Sequence, residues 1–288
     1  MPPWNRLLLG LYYHASLPLR TLVNRRADRR GEAPIMVLFY HRVAGDRANA
    51  WTCSFDVFAR QMAWLRERFD MVSLAEAQNR IRQGSNHRPA IAVTFDDGYF
   101  ANCRRAIPLL IGANIPCTYF VATRFVFEQT PFPHDVAQGR PLRPNTPEQV
   151  RQMAAAGIEI GAHTRTHADL GRIEDVERLE DEIIGSRDEL AELIERPIRY
   201  FAFPYGQHWN LQPAAFQIAH DAGFEGVCSA YGGYNFPGDD AFHVQRIHGD
   251  EESIRLKNWL TVDPRKRRTS RFTYRLERSP QPLAGAVT

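Results

Sequence analysis

Three times in this chain a helix-like segment ends at glycine and an apolar run starts within a few residues. The phrases are LLIGANIPCTYFVAT, MAAAGIEIGAHT and AHDAGFEGVCSA. Their glycines sit where a helix C-cap belongs. Repeated helix–glycine–strand units mean successive βα units and a parallel sheet. Other apolar runs fit the same frame: IMVLFYH at 35–41, AIAVTF at 90–95, IRYFAFPYG at 198–206 and HVQRIH at 243–248. Together they predict an α/β fold, a distorted and incomplete (β/α) barrel of about seven strands.

The length of 288 residues is ample for such a core. A net charge of +3 is too small to imply a nucleic-acid partner. Cys53, Cys103, Cys117 and Cys228 are scattered, with no CxxC spacing. Read as reduced thiols, they favour a cytoplasmic location. No stretch reaches the ~18 apolar residues of a spanning helix. Leu7 to Leu19 comes nearest, but it is short and broken by Pro18. Arginines 20, 25, 26, 29 and 30 follow it. Residues 1–33 therefore read as a peripheral or capping segment, with contact to an anionic membrane surface as one expectation. Residues 34–262 read as the catalytic domain and 263–288 as a basic, mobile tail or surface-binding arm.

Local signals place the connecting elements. Ser54 is expected to cap a helix with Phe55, Phe58, Met62, Leu65 and Phe69 inward. Ser73 with Glu76, and Thr146-Pro147-Glu148-Gln149, read as helix starts. Residues 173–195 read as one long helix whose charges form a solvated face. Residues 128–145 are proline-rich and aperiodic, an insertion loop near the site.

Reactive residues fall at the strand ends, which a parallel sheet brings to one face. His41 ends the first strand. Asp96 and Asp97 end AIAVTFDDG, and burying two such acids in mid-strand would be costly without a partner or a metal. His163 and His167 follow IEIGA as HTRTH; a helical segment would aim both imidazoles at one point. With one carboxylate they make a two-histidine, one-carboxylate metal site with open positions. Successive strand residues point opposite ways, which argues against a glycosidase pair flanking one bond.

TFDDG, HTRTH and FAFPYG, in that order and separation, resemble the motifs of the polysaccharide deacetylases (carbohydrate esterase family four). The resemblance covers roughly residues 34–250. It implies a distorted (β/α) barrel and metal-dependent removal of acetyl groups from N-acetylated sugars. It implies that Asp97, His163 and His167 bind a divalent metal, zinc first, with nickel or cobalt as alternatives. It makes Asp96 the general base and gives Tyr205, between Pro204 and Gly206, a backbone N–H for the oxyanion. Two departures stand out. Ala202 occupies the place of the arginine that pairs with the base, and a C-terminal Leu-x-His is missing. LFYHRV, however, resembles the start of the circularly permuted branch of poly-N-acetylglucosamine deacetylases, whose acid histidine is on the first strand. His41 is then the acid and Arg246 the replacement arginine, with Arg199 and Arg42 as alternatives. Phe203, Tyr205, His208, Trp209, Tyr231 and Tyr234 are candidate sugar contacts. The competing reading, carried by Ala202 and the missing motif, is a catalytically silent carbohydrate-binding relative.

Overall fold

The computed structural model describes residues 2–263, 267 and 270–277. Eight parallel strands form a barrel: β1 (Ile35–Tyr40), β2 (Ala90–Phe95), β3 (Cys117–Val121), β4 (Glu159–Ala162), β5 (Tyr200–Ala202), β6 (Gly226–Cys228), β7 (His243–Val244) and β8 (Arg246–His248). Neighbours run β8-β1-β2-β3-β4-β5-β6-β7, and every pair is parallel. A two-residue strand, Asp70–Met71, pairs with the first two residues of β2, Ala90 and Ile91. β1 and β2 are buried at every position, as strands covered by helices outside and side chains inside must be.

One seam stays open, between β7 and β8. These are two halves of the single run HVQRIH, parted at Gln245. One half pairs with β6 and the other with β1. Asn235 fills the gap. Its Oδ1 accepts from the Gln245 N–H at 2.9 Å, and its Nδ2 donates to the Gln245 carbonyl at 2.9 Å. Its backbone pairs with Ile35 of β1. The buried polar groups at the break are thus satisfied.

The repeated helix–glycine–strand phrase forms as expected, with one refinement. Gly157 and Gly223 take positive φ, and the following N–H reaches back to Met153 and Ala219 respectively. In LLIGAN the left-handed residue is Asn114 rather than Gly112, and Ile115 N–H bonds the Leu110 carbonyl. Asparagine tolerates this conformation nearly as well. The Thr146 capping box is complete, with Pro147 in the first turn. Ser54 makes no side-chain cap; its hydroxyl donates to Glu251 instead.

Three expectations need correction. Pro18 does not break the N-terminal helix, which runs Pro3–Arg29. Pro18 lies on the exposed side, where water can satisfy the carbonyl it leaves unpaired. Residues 173–195 are not one regular helix: Val176–Glu180 passes through a π-helical turn, Asp181–Gly185, into Ser186–Ile194. The described part of the tail is also seated, not loose. Phe272, Tyr274 and Leu276 pack partly buried on the core, with the Tyr274 ring 4.0 Å from that of Phe216.

Candidate active site

The C-terminal strand ends gather around one cavity of about 360 Å³. Its wall includes His41, Asp96, Asp97, His163, His167 and Tyr205. Both adjacent acids therefore face the same space. β2 has ended by Phe95, and Asp97 takes φ +73°. That left-handed step cancels the alternation a continuing strand would impose.

Asp97, His163 and His167 offer ligand atoms that all lie within 4.8 Å of one another. Asp97 Oδ1 is 3.5 Å from His163 Nε2 and 3.2 Å from His167 Nε2. The same Oδ1 is buried without a hydrogen bond. His163 Nδ1 lies 2.7 Å from the Ala202 carbonyl. A carbonyl can only accept, so Nδ1 carries a proton and Nε2 is the nitrogen that faces Asp97. A buried carboxylate oxygen and two imidazole nitrogens that converge on one place are ligand atoms a cation can join. A histidine fixed through its other nitrogen is also how metal ligands are oriented. The donor set thus fits a divalent metal. Burial would raise the Asp97 pKa, but the His41, His163 and His167 rings hold it well below the usual carboxylate range.

The two histidines do not converge by helical spacing. His163 continues β4, while His167 ends a loop in which Thr164 and His167 both take positive φ. A residue with no recognisable sequence signal holds that loop. Glu182 projects from the π turn, 2% exposed, and accepts from the Arg165 and Thr166 N–H groups at 3.0 and 2.9 Å. It also accepts from the Thr166 hydroxyl. The solvated face expected for this helix is therefore interrupted by one buried charge.

Asp96 is gripped by Arg246. Nη1 meets Oδ1 at 2.6 Å and Nη2 meets Oδ2 at 2.9 Å, a two-pronged pair buried on both sides. The guanidinium also donates to the Ser229 carbonyl and to Thr94 Oγ1, and lies between the Phe39 and Phe120 rings. Burial pushes the Asp96 pKa up, yet the charge of Arg246 outweighs it and keeps the group below its ordinary value. The alternatives are engaged elsewhere: Arg199 with Glu159 and Glu225, Arg42 with Asp46. Ala202, in the expected arginine position, contributes its carbonyl to His163 instead.

His41 stands across the cavity with its ring 4.9 Å from Trp51 and 6.0 Å from His248. Burial lowers its pKa, against the pull of the Asp97 and Asp96 carboxylates. Tyr205 takes φ +61° and sets its ring edge-on to His167 at 5.0 Å. Gly206 must be glycine there, since a Cβ would come within 2.6 Å of the Ala230 nitrogen. Pro204 is buried just before this turn, and its carbonyl accepts from the Gly206 N–H.

Of the six candidate sugar contacts, Phe203 and Tyr205 line the cavity. Tyr234 is buried against Trp259, and His208 stacks on Tyr231. Trp209 is exposed outside the cavity wall. Trp51 and Gln207 line it unforeseen, while His134 and Gln138 come from the 128–145 segment expected near the site. Trp51 comes from a loop and His134 from a short helix, Pro133–Ala137, inside the segment expected to be all loop; buried Asp135 joins the two, accepting from Asn49 Nδ2 at 3.0 Å and the Tyr99 hydroxyl at 2.8 Å. That hydroxyl spends its proton on Asp135, so His134, 3.0 Å away, donates to it through Nε2–H.

The family model described as Polysaccharide deacetylase matches residues 83–227. The chain belongs to the polysaccharide deacetylase family. The match begins before β2 and ends within β6, so it takes in Asp96, Asp97, both histidines and Tyr205 but neither His41 nor Arg246. Over 118 residues, 41% of this chain, it is 30% identical to the chitooligosaccharide deacetylase of Bradyrhizobium sp. (strain ANU 289). The chain spans about half the length of the curated relatives it matches, 46% of that protein and 58% of one from Bacillus subtilis (strain 168). Among solved structures it is similar to IcaB from Ammonifex degensii, with a TM-score of 0.65 and 27% identity over 80% of this chain and 98% of that one. The de-N-acetylase from Aggregatibacter actinomycetemcomitans shares the fold at TM-score 0.64 and 22% identity, over 78% of this chain and 99% of that one.

Proposed function

We propose that this family member is a metal-dependent hydrolase that removes N-acetyl groups from an aminosugar in a polysaccharide or glycoconjugate. The observation that carries the reading is the Asp97–His163–His167 triangle set beside the Asp96–Arg246 pair in one cavity. Asp97, His163 and His167 would hold the divalent ion, zinc first. Bound there, such an ion supplies an acidified water and polarises the acetyl carbonyl. Asp96, kept ionised by Arg246, accepts the proton of the attacking water. The Tyr205 N–H donates to the oxygen that becomes negative as the C–O bond forms. His41 gives a proton to the nitrogen as the C–N bond breaks, releasing acetate and the free amine. Pro204 and Gly206 hold the Tyr205 peptide in place. Arg246 weakens the case for a silent carbohydrate binder, because it supplies the partner for Asp96 that Ala202 cannot.

The test is acetate release by the zinc-loaded full chain from acetylated glucosamine oligomers, lipid-linked sugars and nucleotide sugars. Turnover on one class is expected, falling about 10²–10⁴-fold in Asp96→Asn. Glycan binding without turnover on any class would favour the silent relative instead.

A further inference from the structure

We infer that the N-terminal helix, Pro3–Arg29, is a docking surface for an anionic phospholipid membrane, lying in the plane of the headgroups. One face of this helix belongs to the protein. Tyr13, Arg20 and Ala27 are buried. Arg20 donates to the Asn258 side chain and carbonyl at 2.7 and 3.0 Å, and Asn24 to the Thr261 carbonyl at 2.9 Å. The opposite face is apolar and open. Trp4, Leu7, Leu8, Leu11, Leu19 and Leu22 are each between 49% and 69% exposed. At 100° per residue these six fall within an arc of about 120°, centred opposite Tyr13. An ordered stripe of this kind differs from the scattered exposed leucines of ordinary surfaces.

Charge identifies the occupant. Arg25, Arg26 and Arg29 continue the same arc in the last turns, and Arg30 follows at its edge; all four are exposed. Among the described residues none of the four takes part in an ion pair. Across Pro3–Arg29 five arginines face one acid, Asp28. A second copy fits this face poorly: parallel pairing sets arginine on arginine, and antiparallel pairing lays arginines on leucines. An anionic bilayer offers acyl chains to the leucines and phosphate to the arginines at once. Among the described residues no helix is long and apolar enough to cross a membrane, so this helix would meet one leaflet.

Sedimentation of the full chain with vesicles tests this. Vesicles of equal phosphatidylcholine and phosphatidylglycerol should pellet it in low salt, and pure phosphatidylcholine should do so about tenfold less. Leu8→Glu with Leu19→Glu, and separately Arg25→Glu with Arg26→Glu, should each reduce partitioning at least tenfold. All four side chains point outward, so the thermal midpoint should not move. The proposal is overturned if the wild type stays in the supernatant, or if both double variants still pellet as it does. It is equally overturned if the chain is a dimer in solution that Leu8→Glu with Leu19→Glu dissociates.

Discussion

At the scale of single residues the structure turns on two buried charges that need each other. Removing one partner of such a pair strands the other. Arg246→Met should therefore cost about 3–5 kcal/mol in a denaturant titration. Asp96→Asn in the same chain should recover much of that loss, because no unpaired carboxylate remains. Strict additivity of the two changes would contradict the pairing. His243 gives a second prediction. It is 1% exposed, bonded to Ser229, and burial pushes its pKa down to about 4. An unfolded chain would take up that proton near pH 6.5. Its contribution is thus present in full above about pH 6.5 and is lost as pH falls towards 4, by up to about 3 kcal/mol. His243→Asn should flatten that part of the stability–pH curve; an unchanged slope would assign it to other groups. Asp96, Asp97 and the two site histidines were legible in the sequence because such residue types at strand ends carry their chemistry, although the helical spacing read into HTRTH is not what brings the histidines together. Arg246 was legible as one of three candidates, since no local pattern says which distant arginine reaches a given acid.

At the scale of elements, the π turn at Asp181–Gly185 does what a regular helix could not. The inserted residue rotates Glu182 inward, against the peptide N–H groups that precede His167. Glu182→Gln keeps the shape and loses the charge on those hydrogen bonds. It should weaken zinc binding about 10–100-fold in a competition titration while the far-ultraviolet circular dichroism stays the same. Unaltered affinity would reduce Glu182 to a structural anchor. Such a turn escapes periodicity arguments, because one extra residue shifts the pattern without erasing it. The wall built by Trp51 and His134 escaped for another reason. The Trp51 loop and the five-residue His134 helix are too short to show a period, and Asp135 joins them across a sequence gap no local rule spans.

At the scale of the whole molecule, the barrel was legible because its strands are buried on both sides and so read as unbroken apolar runs. The helix ends that feed them carry their own left-handed caps. That the barrel is incomplete was legible, but the place of its seam was not, since HVQRIH reads as one strand and divides because its two halves serve opposite edges, with Asn235 between. This closure matters to the chemistry: it delivers Arg246 from the last strand to Asp96 at the end of the second. The barrel so assembled makes one claim above the rest, that acetate release depends on a divalent ion held by Asp97, His163 and His167. Titrating zinc into the chelated full chain, with bound metal and acetate release followed together, tests it most directly. The structure predicts that activity rises in step with one equivalent of metal and that His167→Ala loses both. Full activity in the metal-free chain, or undiminished metal binding in His167→Ala, would contradict it.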